Sequence, residues 1–170
     1  MLRFYLVAGR FFSRFYPMWM QGFLNARSAA VVALAIAGGC AVSRENPLAA
    51  REVLLPNGVR IAAEVMIRPE DQARGMKYRD VLEPERGMLF LHAELGPHSY
   101  WMHNVKIPLD IVWMDAEGRI VEISAKTPPC LKEPAECPSY GGSRPSRAVL
   151  ELAAGSVELH WLKVGDRLVY

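Results

Sequence analysis

From residue 53 onward, apolar and polar positions alternate as they do in strands. Val53-Leu54-Leu55 is a short apolar run that stops at Pro56-Asn57-Gly58. After the break, Val59, Ile61, Ala63, Val65 and Ile67 alternate with mostly polar neighbours. A period of two places those five on one face of an extended segment, and Asn-Gly supplies the positive φ angles that tight hairpins need. The pattern predicts a hairpin of residues 53–55 and 59–67. Pro69 then opens a helix over residues 69–78 (PEDQARGMKY): proline fits a first turn, and Glu70 and Asp71 suit the positive end of the helix dipole. Residues 87–91 (GMLFL) form a continuous apolar strand. Residues 99–103 and 109–114 are two more strands, placed as neighbours by a turn around 104–108. A turn at 115–118 leads into a return strand at 119–124, with Ile120 and Ile123 inward. Residues 127–145 make a long loop rich in Pro, Gly and Ser. A strand at 147–152, a short helix at 155–162 and a turn with a terminal strand at 163–170 complete the chain. No segment repeats. Many short strands, tight turns and two short helices predict an α+β, mostly β domain: a compact barrel-like or sandwich fold over residues 52–170.

The first 40 residues follow a different pattern. Residues 28–37 (SAAVVALAIA) are uninterruptedly apolar or small, Arg27 stands just before them, and Gly38-Gly39-Cys40 follows. A membrane-spanning helix needs about 20 apolar residues, whereas a signal-peptide core needs about 7–15. The order of basic, apolar and small residues is that of a secretory signal, and the upstream charges place the remainder outside the cytoplasm. Ala37-Gly38-Gly39-Cys40 resembles a bacterial lipobox, with Leu more usual where Ala37 stands, so Cys40 is a candidate lipidation site. A simply cleaved leader, an uncleaved anchor and a buried N-terminal helix are the alternatives. Residues 1–19 are long for a basic region; their aromatics could lie on a membrane surface, or translation could start at Met18 or Met20. Residues 41–51 read as a linker. The expected location is periplasmic or otherwise extracytoplasmic, with membrane contact through the leader or a lipid.

Length and charge narrow the picture. The chain has 170 residues, 51% of them hydrophobic and 22% charged, enough for one domain with a core but not comfortably for two. Arg3, Arg10, Arg14 and Arg27 lie in residues 1–27, which hold no acid. Of 20 Lys+Arg, 16 remain against 18 Asp+Glu, so the body carries 16 − 18 = −2. A nucleic-acid binder concentrates positive charge on its folded domain; here it sits in the leader, and nucleic acid is not expected as a partner.

Several short blocks fall in a characteristic order: Ala73-Arg74-Gly75-Met76, Arg79, Gly87-Met88-Leu89-Phe90, Trp101-Met102-His103-Asn104, Ile107-Pro108-Leu109-Asp110-Ile111 and Leu162-Lys163-Val164-Gly165-Asp166. In these the chain resembles the domain-of-unknown-function 192 family, also called uncharacterised protein family 0127, over about residues 52–169. Members are often exported or membrane-associated. The family has no settled biochemical activity, so the resemblance implies fold and location rather than chemistry. Lys77 stands where members tend to carry Met, and Val105 where they tend to carry Thr.

The candidate chemistry centres on residues 100–110. Asp110 lies between Leu109 and Ile111 in an apolar strand, and a buried acid there needs hydrogen-bond partners. One reading is a ligand pocket with Trp101 as an aromatic platform and His103, Asn104, Asp110 and Arg79 as polar contacts, suited to a sugar ring or a peptide. The other is architectural: Asn104 and Asp110 bond backbone amides and fix the turn, with Trp101 in the core. Arg79 and Arg74 are possible ion-pair partners for Asp110. His92, His98, His103 and His160 lack compact metal spacing, and no residue pattern calls for a cofactor. No nucleophile elbow or phosphate-binding loop is present. Cys130 and Cys137, seven apart, are expected to pair in an oxidising compartment; the CxxC spacing of a redox dithiol is absent. The expected function is a binding or accessory module of the cell envelope whose partner is a small molecule, a glycan or an envelope protein. The alternatives are an envelope-directed enzyme using Asp110 as acid or base and a structural assembly protein.

Overall fold

The computed structural model describes residues 50–170. The expected leader, Cys40 and most of the expected linker lie outside these residues; Ala50 and Arg51, assigned above to the linker, already belong to the first strand. Eight strands follow in order: β1 (Ala50–Leu54), β2 (Arg60–Met66), β3 (Arg86–Gly96), β4 (Tyr100–Trp101), β5 (Leu109–Met114), β6 (Ile120–Thr127), β7 (Ser139–Tyr140) and β8 (Ser146–Ala153). The helices are α1 (Pro69–Arg74) and α2 (Ser156–Leu159), with a 3-10 turn at Pro134–Glu136. The fold is mostly β, with two short helices, as the sequence predicts.

Six strands form one sheet in the order β1-β2-β3-β8-β5-β6, and β4 and β7 pair separately. The main sheet is open, so the sandwich-like alternative holds and the closed barrel does not. Its two edges are nonetheless laced at one end by the C-terminal tail. Val169 exchanges backbone hydrogen bonds with Leu54, the last residue of β1, and Leu168 N–H donates to Gly118 C=O, just before β6. The tail thus bonds to both edge regions of the sheet without continuous strand pairing. The predicted terminal strand is reduced to isolated bridges, Leu54 with Val169 and Arg119 with Arg167.

The first hairpin forms as expected, with Leu54 opposite Arg60. Its turn differs in detail. Gly58 has φ 86° and donates to Leu55 C=O at 2.9 Å, while Leu55 N–H donates to Val59 C=O at 2.9 Å. Pro56 presets the first central position, and Gly58 carries the left-handed bulge residue, so one glycine suffices where a two-residue turn would need two positive φ angles. β2 and β3 run parallel, which requires a crossover; α1 and the following loop supply it. α1 is shorter than the predicted 69–78, ending at Gly75.

Alternation along the strands produces two cores. One face packs Val53, Ile61, Leu89, Val112, Ile120, Leu150 and Leu168. The other packs Met88, Phe90, Met102, Ile111, Trp113 and Val149. Segments 97–108 and 128–145 cover this second face. Here the prediction of neighbouring strands at 99–103 and 109–114 is corrected: β4 pairs with β7, Tyr100 opposite Tyr140, and β5 pairs with β6 and β8. The covering layer is held by the Cys130–Cys137 disulfide and by Trp113, whose Nε1–H donates to His98 C=O at 2.7 Å.

Candidate functional site

The sheet register separates the residues that the sequence groups together. On the β5–β8 ladder Asp110 pairs with Leu152 and Ile111 with Glu151. Leu152 belongs to the first core and Ile111 to the second. With a period of two, Asp110 and Glu151 therefore face opposite sides of the sheet.

Asp110 is fully buried and fully engaged. Oδ1 accepts from Lys126 N–H at 2.6 Å and Oδ2 from Val157 N–H at 2.7 Å. It ties the end of β6, where Lys126 has φ 51°, to the first turn of α2. Neither proposed arginine reaches it: Arg74 pairs with Asp71 at 3.1 Å, and Arg79 makes a two-pronged pair with Glu64, both contacts 2.6 Å. Asp110 forms part of the floor of a groove of about 430 Å3 whose walls include Lys126, Val157, Glu158 and Trp161.

Trp101, His103 and Asn104 stay together on the other side. Trp101 is 42% exposed; the His103 ring lies 5.0 Å from it, and Lys77 Nζ lies 5.6 Å over its ring, within the range of a cation–π contact. Asn104 has φ 61°. Its N–H donates to Cys130 C=O at 2.9 Å and its C=O accepts from Tyr78 N–H at 2.9 Å. The Asn104 backbone thus braces the turn against both the disulfide and the segment after α1.

Beside Trp101 is a cleft of about 40 Å3, lined among others by Gly75, Lys77, Phe90, Tyr100, Trp101 and Glu151. Glu151, which the sequence analysis did not single out, is its most informative member. The residue is 5% exposed, and Oε2 is buried with no hydrogen-bond partner among the described residues. Burial pushes its pKa up to about 8, against the pull of the Arg79 guanidinium. Arg79 is committed to Glu64, whose carboxyl that hydrogen bond holds below its ordinary range. The two acids therefore behave oppositely: Glu64 is the ionised partner of Arg79, and Glu151 is mostly a neutral carboxylic acid at pH 7. Tyr100, in edge-to-face contact with Phe90 at 5.0 Å, places its hydroxyl 3.1 Å from His92 Nε2. Burial, with the charges of His98 and Arg147 behind it, lowers the pKa of His92 to about 4. Among the described residues, no group of three or more His, Cys, Asp and Glu side chains could hold a metal ion.

Three of the ordered sequence blocks converge on this cleft, through Ala73-Arg74-Gly75 at the end of α1, Phe90 from β3 and Trp101 from β4, with Val105 nearby. Those blocks carry the family likeness, and the family model of DUF192 (Uncharacterized ACR) matches residues 52–170. The chain belongs to this family. Two solved structures are similar. One is a protein of unknown function from Novosphingobium aromaticivorans DSM 12444, 27% identical, with a TM-score of 0.65 over 71% of this chain and 85% of that one. The other is a proposed transcription regulator from Sinorhizobium meliloti 1021, 30% identical, with a TM-score of 0.62 over 69% of this chain and 89% of that one. No functionally curated protein matches the chain. As a DUF192 member it places two residues at the cleft that depart from the expected family pattern. Lys77 reaches over Trp101, and Val105 is buried in the second core and lines the cleft.

Proposed function

We propose that this DUF192 protein is an exported binding module that presents the Trp101 cleft to a ligand outside the cytoplasm. The observation that carries this reading is Glu151: an acid buried in the cleft wall with one oxygen unpartnered, beside an exposed indole. Burying such a group costs the fold roughly 1–3 kcal/mol, and a chain under no demand for the carboxyl would do better with Met or Leu on that apolar face. Polar groups set beside aromatic surface are among the usual marks of a ligand site; here Glu151 and Lys77 line the cleft together with Phe90 and Trp101. The disulfide and the order of basic and apolar residues before Gly38 agree with an oxidising, extracytoplasmic setting. Among the described residues no helix is long and apolar enough to cross a membrane. The role named for the Sinorhizobium neighbour would call for a basic face, which a body of net charge −2 does not favour. An acid–base role for Asp110 is disfavoured because both its oxygens hold backbone amides.

The test is a screen of the full-length chain against small glycans, peptides and organic fragments, repeated with Trp101→Ala. Hits lost in the variant, with the far-UV spectrum unchanged, support the cleft. Hits that all survive in Trp101→Ala would move the binding surface elsewhere.

A further inference from the structure

The cleft limits what can enter it. Its volume of about 40 Å3 is small beside the 430 Å3 of the Asp110 groove, and Glu151 is only 5% exposed within it. Only the tip of a ligand reaches Glu151; the body must lie outside, against Trp101. The tip must suit a carboxyl group that carries its proton in one state and lacks it in the other. A hydroxyl does so, because it accepts from the acid and donates to the carboxylate. An ammonium would meet Lys77 Nζ at the mouth, with Arg74 in the wall. A carboxylate tip would find Arg74 and Arg79 already engaged with Asp71 and Glu64. Lys77 donates to Ala73 C=O at 2.8 Å, which leaves ammonium hydrogens for acceptors on a ligand body. The exposed indole beside it offers a flat apolar surface.

We infer that the ligand is a saccharide, with one hydroxyl inserted onto the Glu151 carboxyl, the C–H face of its ring laid on Trp101 and ring or substituent oxygens accepting from Lys77. The assignment rests on the binding-module reading above and names the ligand class of the same site.

The experiment uses the full-length chain in a detergent without a sugar headgroup, with 5-fluorotryptophan at Trp19, Trp101, Trp113 and Trp161. The Trp101 fluorine signal is assigned by Trp101→Phe. The probes are glucose, N-acetylglucosamine and glucuronate, with n-butylamine and benzoate as the cationic and anionic comparisons. At least one sugar is expected to shift the Trp101 signal in a saturable way. Glu151→Leu, which keeps the apolar packing of that face, is expected to weaken the sugar roughly tenfold, the worth of one good hydrogen bond. Sugar binding equally tight in a folded Glu151→Leu overturns the assignment. So does a Trp101 shift with n-butylamine or benzoate but with no sugar; that result would leave the cleft as a binding site and replace only the ligand class. If no probe of any class moves Trp101, both the ligand class and the binding-module reading fall.

Discussion

Replacing Glu151 with methionine should make the protein more stable, and increasingly so as pH rises. The carboxyl is moved from its ordinary 4.5 to about 8 by burial. Each pH unit of displacement corresponds to about 1.4 kcal/mol. Below pH 4.5 the acid is protonated in both folded and unfolded chains and costs nothing through ionisation. Between pH 4.5 and about 8 the unfolded chain loses the proton while the folded chain keeps it, so stability falls as pH rises. Above 8 both forms are ionised and the penalty is constant. Its ceiling is on the order of 5 kcal/mol; local relaxation and water entry bring the expected value to about 2–4 kcal/mol. Glu151→Met removes the whole pH-dependent part and places an apolar side chain among Met88, Phe90 and Ile111.

The assay is urea unfolding of wild type and variant at pH 4, 7 and 9, read as the difference at each pH. The difference matters because His92 acts in the opposite direction. With its pKa lowered to about 4, it contributes stability that is present above its ordinary 6.5 and lost as pH falls toward 4. Both proteins share that term, and it cancels. Glu151→Gln is the control, since it flattens the pH dependence yet keeps a polar tip in the cleft. A difference that stays level from pH 4 to 9, or a methionine variant less stable than wild type at pH 9, would refute the reasoning. Either result would mean that the carboxyl has a structural partner, with Arg79 the first suspect.

Four further outcomes can be checked by similar means. Asp110→Ala should cost about 3–5 kcal/mol in urea unfolding, because the amides of Lys126 and Val157 both lose a charged acceptor; a loss under 1 kcal/mol would show that water replaces it. Gly141→Ala should cost roughly 2–4 kcal/mol and change Trp113 fluorescence, since a Cβ there would lie 2.1 Å from the indole at a φ of 68°; unchanged emission and stability would count against the packing described. Reducing the Cys130–Cys137 bridge should lower stability by roughly 2–3 kcal/mol in the chain-entropy account. It should also loosen Asn104, whose amide leans on Cys130, which hydrogen exchange at Asn104 would reveal. Trp101→Ala should cost less than about 1.5 kcal/mol, because the ring is 42% exposed; a larger loss would make Trp101 a core residue.

Local patterns were legible in the sequence where the physics is local. The first hairpin could be read because alternation and a proline-glycine turn act within 15 residues. The disulfide could be read because two cysteines seven apart are close enough in the chain to pair locally. Pairings between distant segments could not. Nothing in Tyr100 or Trp101 announces a partner at Ser139–Tyr140, and a two-residue strand carries no periodicity. The parallel pairing of β2 with β3 was equally silent, since alternation fixes which face is buried but not which strand lies alongside. Even the length of β6 was hidden: its last residues depend on the register shift between Leu109 and Ile111.

The candidate site shows how that limit bears on function. Asp110 and Glu151 carry the same sequence signal, an acid inside an apolar strand, in LDIVWM and in RAVLELA. They sit diagonally on one ladder, Asp110 opposite Leu152 and Glu151 opposite Ile111. One step of register turns one acid toward the end of β6 and α2, where two backbone amides meet it, and the other toward the Trp101 cleft, where its Oε2 finds no partner. A buried acid with both oxygens bonded is accounted for by the fold it holds. A buried acid with an open oxygen beside an exposed indole is not, and the proposed ligand role of the cleft rests on that difference. The block around Trp101 drew the sequence reading to Asp110, the acid next to it in the chain. The acid that shares the Trp101 cleft is 50 residues further on, brought there by the pairing of β8 with β3 and β5.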